Sequence, residues 1–148
     1  MIVEEIMNTR LKTAKVDDMI KDVSTLMCLN KISGVPVVND DDELIGILSE
    51  KDILHCMFPE AHELFLNEER PDYEQMEQDF KGTLNKKVGD LMTRAVSTVT
   101  PDMPVMKAAS LMWLKKIRRI PVVRDGKLVG IVSIGDVHRA LFQEHLLK

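Results

Sequence analysis

Two short stretches of this 148-residue chain carry side chains that could act on a ligand, and both have the same form. Ser49-Glu-Lys-Asp52 follows the apolar run Leu44-Ile-Gly-Ile-Leu48, and Ser133-Ile-Gly-Asp136 follows Leu128-Val-Gly-Ile-Val132. A serine three residues ahead of an acid has the spacing of a capping box, with Asp in place of the usual Glu. Capping alone accounts for the pattern. The Ser hydroxyl would accept an N–H of the first helical turn, worth about 1 kcal/mol, and Asp would favour the positive end of the helix dipole. The same junction also suits a ligand. Free N–H groups at a helix N-terminus receive a phosphate, a Ser hydroxyl can donate to an oxygen, and an ionised Asp accepts from hydroxyls. Lys115, Lys116, Arg118 and Arg119 lie shortly before the second junction. They read either as a basic helix C-terminus complementing the dipole or as phosphate partners, since Arg can grip phosphate oxygens with two N–H groups.

The elements that must position these residues occur twice. Val3 matches Val88, Ile6-Met7 match Leu91-Met92, Leu26-Met27 match Leu111-Met112, and Pro36-Val-Val38 match Pro121-Val-Val123. Beyond the hairpins, where the first copy is one residue longer, Gly46 matches Gly130, Ser49 matches Ser133, and Phe58 matches Phe142. A match this long indicates duplication. Each copy predicts a short helical turn (Val3–Met7 in the first), a strand near Leu11–Ala14, and a helix over about Asp18–Lys31. Two apolar strands follow, Val35–Val38 and Leu44–Leu48, with the near-continuous apolar character of strands covered on both faces. A helix after each Ser-x-x-Asp ends the copy. Pro104 suits the first turn of the second copy's helix.

Residues 1–58 are thus the first repeat and 88–148 the second, with an acidic helical insertion, 59–87, between them. Pro71 divides the insertion into two helical pieces, and Tyr73, Met76 and Phe80 form an apolar stripe on the second. That stripe must bury itself on this chain or on a partner. Cys28 and Cys56 read as buried core thiols in a reducing compartment. The ten methionines read as core filler, and Trp113 as core or interface. Acids outnumber bases 11 to 6 over residues 1–57, whereas bases outnumber acids 10 to 5 over 88–148. An anion site therefore fits the second half, but the balance is too mixed for a general nucleic-acid binder. No apolar run nears the roughly 18 residues needed to span a bilayer, and no secretory signal is visible, so a cytoplasmic location is expected. His55 and His62, like His138 and His145, are seven residues apart, too far to share a metal without further ligands. No P-loop, G-x-G-x-x-G or G-x-S-x-G motif occurs.

The Gly34-Val-Pro-Val-Val38 strand, the Gly-x-x-Ser-x-x-Asp junctions and the leading Val88-Gly-Asp-Leu-Met-Thr93 together resemble the CBS-domain family, in the tandem arrangement called a Bateman module. The resemblance implies an α/β (α+β) fold of two β-α-β-β-α repeats about a pseudo-twofold axis, and homodimers of such modules. It implies a non-catalytic regulatory module that senses an adenine nucleotide or related adenosyl ligand in clefts between the repeats, with AMP, ADP, ATP or S-adenosylmethionine as candidates and no required cofactor. By the same resemblance one cleft takes Ser133, Asp136, Arg118 and Arg119 with Asn8, Lys12 and Ile32 opposite. The other takes Ser49, Asp52 and Ser33 with Thr93, Ser97 and Ile117. Only the first gathers several cations, so it is expected to be the better nucleotide site. Two further classes remain open: an adaptor with empty clefts that regulates a partner enzyme or transporter, and a nucleic-acid binder using the basic half.

Overall fold

Helix α1 (Ile20–Asn30) sets the pattern for one half of the fold. Ile20, Val23 and Met27 recur at i, i+3 and i+7, so they share one face, and all three are buried. Helix α5 (Val105–Lys115) repeats the device with Val105, Ala108 and Met112. Both helices end on a lysine in the left-handed conformation, Lys31 (φ 52) and Lys116 (φ 55). The next N–H then turns back onto the helix, Ile32 to the Met27 carbonyl and Ile117 to the Met112 carbonyl, each at 3.0 Å. This closure satisfies carbonyls that the helix end would otherwise orphan.

The structure, a computed structural model, describes residues 1–58 and 72–147. Strands β1 (Gly34–Val38) and β2 (Leu44–Ser49) form one two-stranded sheet. Strands β3 (Arg119–Arg124) and β4 (Lys127–Ser133) form another, antiparallel, with a bulge between Val122 and Val123. Val35 to Val38 are buried throughout, as a doubly covered strand requires, whereas β2 alternates between buried and half-buried residues. The strand expected near Leu11–Ala14 contracts to a single parallel bridge, Ala14 to Val37, and its counterpart to Val99 with Val122. One residue in each case exchanges two backbone hydrogen bonds with its neighbour strand, at 2.9–3.0 Å.

The packed units are not the two halves of the sequence. The first unit contains Met1–Lys12, Asp40–Leu44 and Ala95–Lys148; the second contains Thr13–Asn39 and Ile45–Arg94. Each repeat's leading segment therefore packs with the strands of the other repeat. In the first unit Val3 is fully buried among Val99, Val105, Met112, Ile120 and Val132, and its N–H bonds the Met103 carbonyl at 2.8 Å. In the second, Val88 is buried among Ile20, Val35, Val37 and Leu48. The short helix α4 (Val88–Leu91) leads there to Thr93, which exchanges hydrogen bonds with Ile47 at 2.8 and 2.9 Å. Sequence repeat and packed unit are thus different divisions of the chain.

The second piece of the insertion is helix α3 (Tyr73–Thr83), capped by the Asp72 carboxylate on the Gln75 N–H. Phe80 and Leu84 pack against the second unit's core, while Tyr73 is exposed. Of the apolar stripe, Tyr73 is thus exposed, while Met76 and Phe80 are half-buried, Phe80 against that core. The first piece lies outside the described residues. Both cysteines are exposed, against the expectation of core thiols. Cys28 follows buried Met27 and so sits about 100° around the helix, off the packed face. Cys56 Sγ lies 2.7 Å from the hydroxyl of buried Thr83, which ties the turn after α2 (Glu50–Leu54) to α3. Trp113 is 80% exposed and is not part of the core.

Candidate functional site

In the first unit, β4 runs directly into α6 (Ile134–Leu146) at Ser133. Ser133 keeps an extended backbone (φ −112, ψ 162), and its hydroxyl accepts the Asp136 N–H at 3.0 Å. Asp136 Oδ2 accepts the Ser133 N–H in return at 2.8 Å. The capping box is therefore real. Ile134 donates its N–H to the Arg118 carbonyl at 2.9 Å, and Arg119 stands opposite Ser133 in the β3–β4 ladder. Both arginines are exposed, and their backbones adjoin the helix N-terminus. Asn8 bonds Ile131 through both its N–H (2.8 Å) and its carbonyl (3.0 Å), which lays the chain's leading segment against β4. Lys12 is exposed four residues further along.

Ser133, Asp136, Arg118, Arg119, Asn8 and Lys12 thus belong to one packed unit. Ile32, assigned with them, belongs to the other and packs against that unit's core. One residue that the sequence reading missed joins the first set. Arg139 Nη2 lies 2.7 Å from Asp136 Oδ1. The signal was present, because an acid and a base three apart on a helix are neighbours.

The second unit repeats the geometry with different partners. Ser49 and Asp52 form the reciprocal cap, at 2.9 and 3.2 Å, and Glu50 donates its N–H to the Ser33 carbonyl at 2.9 Å. The Thr93 hydroxyl donates to Asp52 Oδ1 at 3.1 Å. Ser33, Ser49, Asp52 and Thr93 are therefore together. Ser97 and Ile117 lie in the first unit, where Ile117 packs against the core. Beside Ser133 lie Arg118 and Arg119 through the backbone, and Arg139 bonds Asp136. Around Ser49 stand Glu50, Lys51 and Asp52. The first junction carries three arginines, and the second carries Lys51 with Arg94 beside Thr93. Among the described residues no group of His, Cys, Asp or Glu could hold a metal ion. No helix among them is long and apolar enough to cross a membrane.

A strand pair, a covering helix and a Ser-capped helix, present once in each of two units, define a tandem α+β module whose polar side chains gather at helix N-termini. The CBS domain family matches residues 3–58 and 88–143, and the chain belongs to it. The uncharacterized protein MJ1426 of Methanocaldococcus jannaschii is 39% identical over 95% of this chain and 91% of its own length. The chloroplastic CBS domain-containing protein CBSX1 of Arabidopsis thaliana is 34% identical over 88% of this chain, which spans only 57% of that protein. Among solved structures, CBSX2 in complex with AMP is similar at a TM-score of 0.75, with 32% identity over 97% of both chains.

Proposed function

We propose that this chain is a non-catalytic regulatory module in the cytoplasm that binds an adenine nucleotide or related adenosyl ligand, and that the Ser133 site is the better of its two sites. In this reading 1–58 and 88–148 are its two functional repeats, and 59–87 connects them. The observation that carries the reading is the set of Arg118, Arg119, Lys12, Ser133 and Asp136 in one packed unit, with Arg118 and Arg119 joined through the backbone to the capped start of α6. The likeness to an AMP-bound CBS pair supports it. A phosphate would meet the arginines and the Gly135 N–H, since the Ile134 and Asp136 N–H groups are already bonded. Ribose hydroxyls would donate to Asp136. Asn8 would contribute a backbone ledge. Ser33, Ser49, Asp52 and Thr93, together in the other unit, would form the weaker site.

The test is calorimetry on protein shown to be nucleotide-free, with AMP, ADP, ATP and S-adenosylmethionine. Heat with at least one is expected, and silence from all four would sink the reading. Arg118→Gln should weaken AMP more than adenosine, whereas equal losses would count against the phosphate assignment.

A regulatory module also needs a surface that transmits its state. Trp113, Leu114 and Met106 on α5 and Phe142 and Leu146 on α6 are exposed apolar side chains in one unit. We assign them to a homodimer contact, or to a partner enzyme or transporter that the module regulates. Sedimentation would show a dimer that Trp113→Lys dissociates; a wild-type monomer would leave the face to a different protein.

A further inference from the structure

The two capping aspartates spend their oxygens in parallel. Oδ2 accepts the N–H of the serine three residues back, Ser49 or Ser133. Oδ1 is the oxygen left for other donors, and each copy fills it differently. Asp52 takes the neutral Thr93 hydroxyl at 3.1 Å, and Asp136 takes the Arg139 guanidinium at 2.7 Å. The exchange follows from two substitutions between the repeats. Asn8 stands where the second copy has Thr93, and its side-chain oxygen is turned to the Arg10 N–H at 3.0 Å. His55 stands where the second copy has Arg139, in a short 3-10 turn.

A third difference lies beside the guanidinium. Gly135 occupies the place of Lys51 in the first copy. A Cβ added there would lie 3.4 Å from Arg139 Nη1 and 3.6 Å from the Ser133 hydroxyl. The arginine head therefore lies over the first turn of α6, beside the capping serine. Its side chain is 68% exposed while that of Asp136 is 21% exposed, so the head can swing while the carboxylate stays fixed.

We propose that Arg139 is the specificity-determining residue of the Ser133 site, selecting phosphate-bearing adenosyl ligands over uncharged ones. The proposal rests on the nucleotide reading given above. An uncharged nucleoside must share Asp136 Oδ1 with Arg139 and offers the guanidinium nothing in return. A phosphate at the α6 N-terminus offers it a second anion within a side-chain swing, so the arginine bridges carboxylate and phosphate. A ligand carrying a positive centre meets repulsion at the same place.

The test is calorimetric titration of AMP and adenosine into wild type, Arg139→Gln and Arg139→Lys. Arg139→Gln should lose about tenfold in AMP affinity, the size of one charge-assisted hydrogen bond, and keep adenosine within about twofold. Arg139→Lys keeps the charge and should restore most of the AMP preference. An AMP-to-adenosine ratio unchanged in Arg139→Gln would overturn the role of Arg139 and leave the nucleotide site standing. A wild type that binds neither compound would overturn both.

Discussion

Replacing Gly46 with alanine tests the exchanged segments on which the whole arrangement depends. Gly46 is buried in β2. A Cβ there would lie 2.9 Å from the Thr93 carbonyl oxygen and 3.0 Å from Met92 Sδ, where ordinary contact begins at 3.4 Å. The oxygen belongs to the backbone, so the segment carrying Thr93 must retreat by about 0.5 Å (3.4 minus 2.9). That same oxygen accepts the Ile47 N–H at 2.9 Å, and the retreat stretches this bond and its partner. Overpacking of this kind costs about 1–3 kcal/mol, and at about 2 kcal/mol a chain of this size should melt about 4–8 °C lower. Gly130→Ala is the internal control. Its Cβ would approach Met7 Sδ at 2.6 Å and Met7 Cγ at 2.9 Å. Methionine has rotatable bonds with which to yield, so the loss there should be smaller, about 1 kcal/mol. Thermal unfolding followed by circular dichroism measures both. Gly46→Ala melting at or above wild type, or Gly130→Ala costing more than Gly46→Ala, would refute the packing of the exchanged segments.

Other consequences are equally open to measurement. The Ser24 hydroxyl in α1 is buried without a hydrogen-bond partner, and the repeat places Ala109 at the matching position. Ser24→Ala should therefore raise stability by about 0.5–1 kcal/mol in urea unfolding; a loss of more than 1 kcal/mol would mean that the hydroxyl is bonded. Phe80→Ala should destabilise by about 1–2 kcal/mol, because Phe80 packs on the second unit's core, whereas exposed Tyr73→Ala should stay within about 0.5 kcal/mol. Equal effects from the two would contradict the packing of Phe80 against that core. Ser49→Ala and Ser133→Ala should each cost about 1 kcal/mol as lost caps; denaturation midpoints equal to wild type would show that the caps do not form.

Much of this was legible in the residues. The strand runs, the turn of chain between them, and both Ser-x-x-Asp caps follow from local rules: apolar runs for strands, and a hydroxyl acceptor with an acid three residues on for helix starts. Helices α1 and α5 followed from the i, i+3, i+7 spacing of their buried residues. The exchange of leading segments was not legible from periodicity. Val3 and Val88 announce that they will be buried, but nothing local says which repeat's core will bury them. The resemblance to a known family, and not the spacing, supplied that pairing for Asn8 and Thr93. The cysteines were misjudged because an apolar pattern around a small thiol says little about its angle on the helix. Cys28 falls one residue past the packed face. At the site, the polar roles of Ser133 and Asp136 were readable. Arg139 was absorbed into the general basic character of the second half, although its spacing from Asp136 was sufficient to pair them.

The central claim is that the Ser133 site, and not its counterpart, is the principal nucleotide site. The direct measurement is AMP binding by calorimetry to Asp136→Asn and Asp52→Asn, since asparagine keeps one acceptor for the capping N–H and removes the charge. Asp136→Asn should lose most of its AMP affinity while Asp52→Asn stays close to wild type. Loss of AMP binding in Asp52→Asn with retention in Asp136→Asn would contradict it.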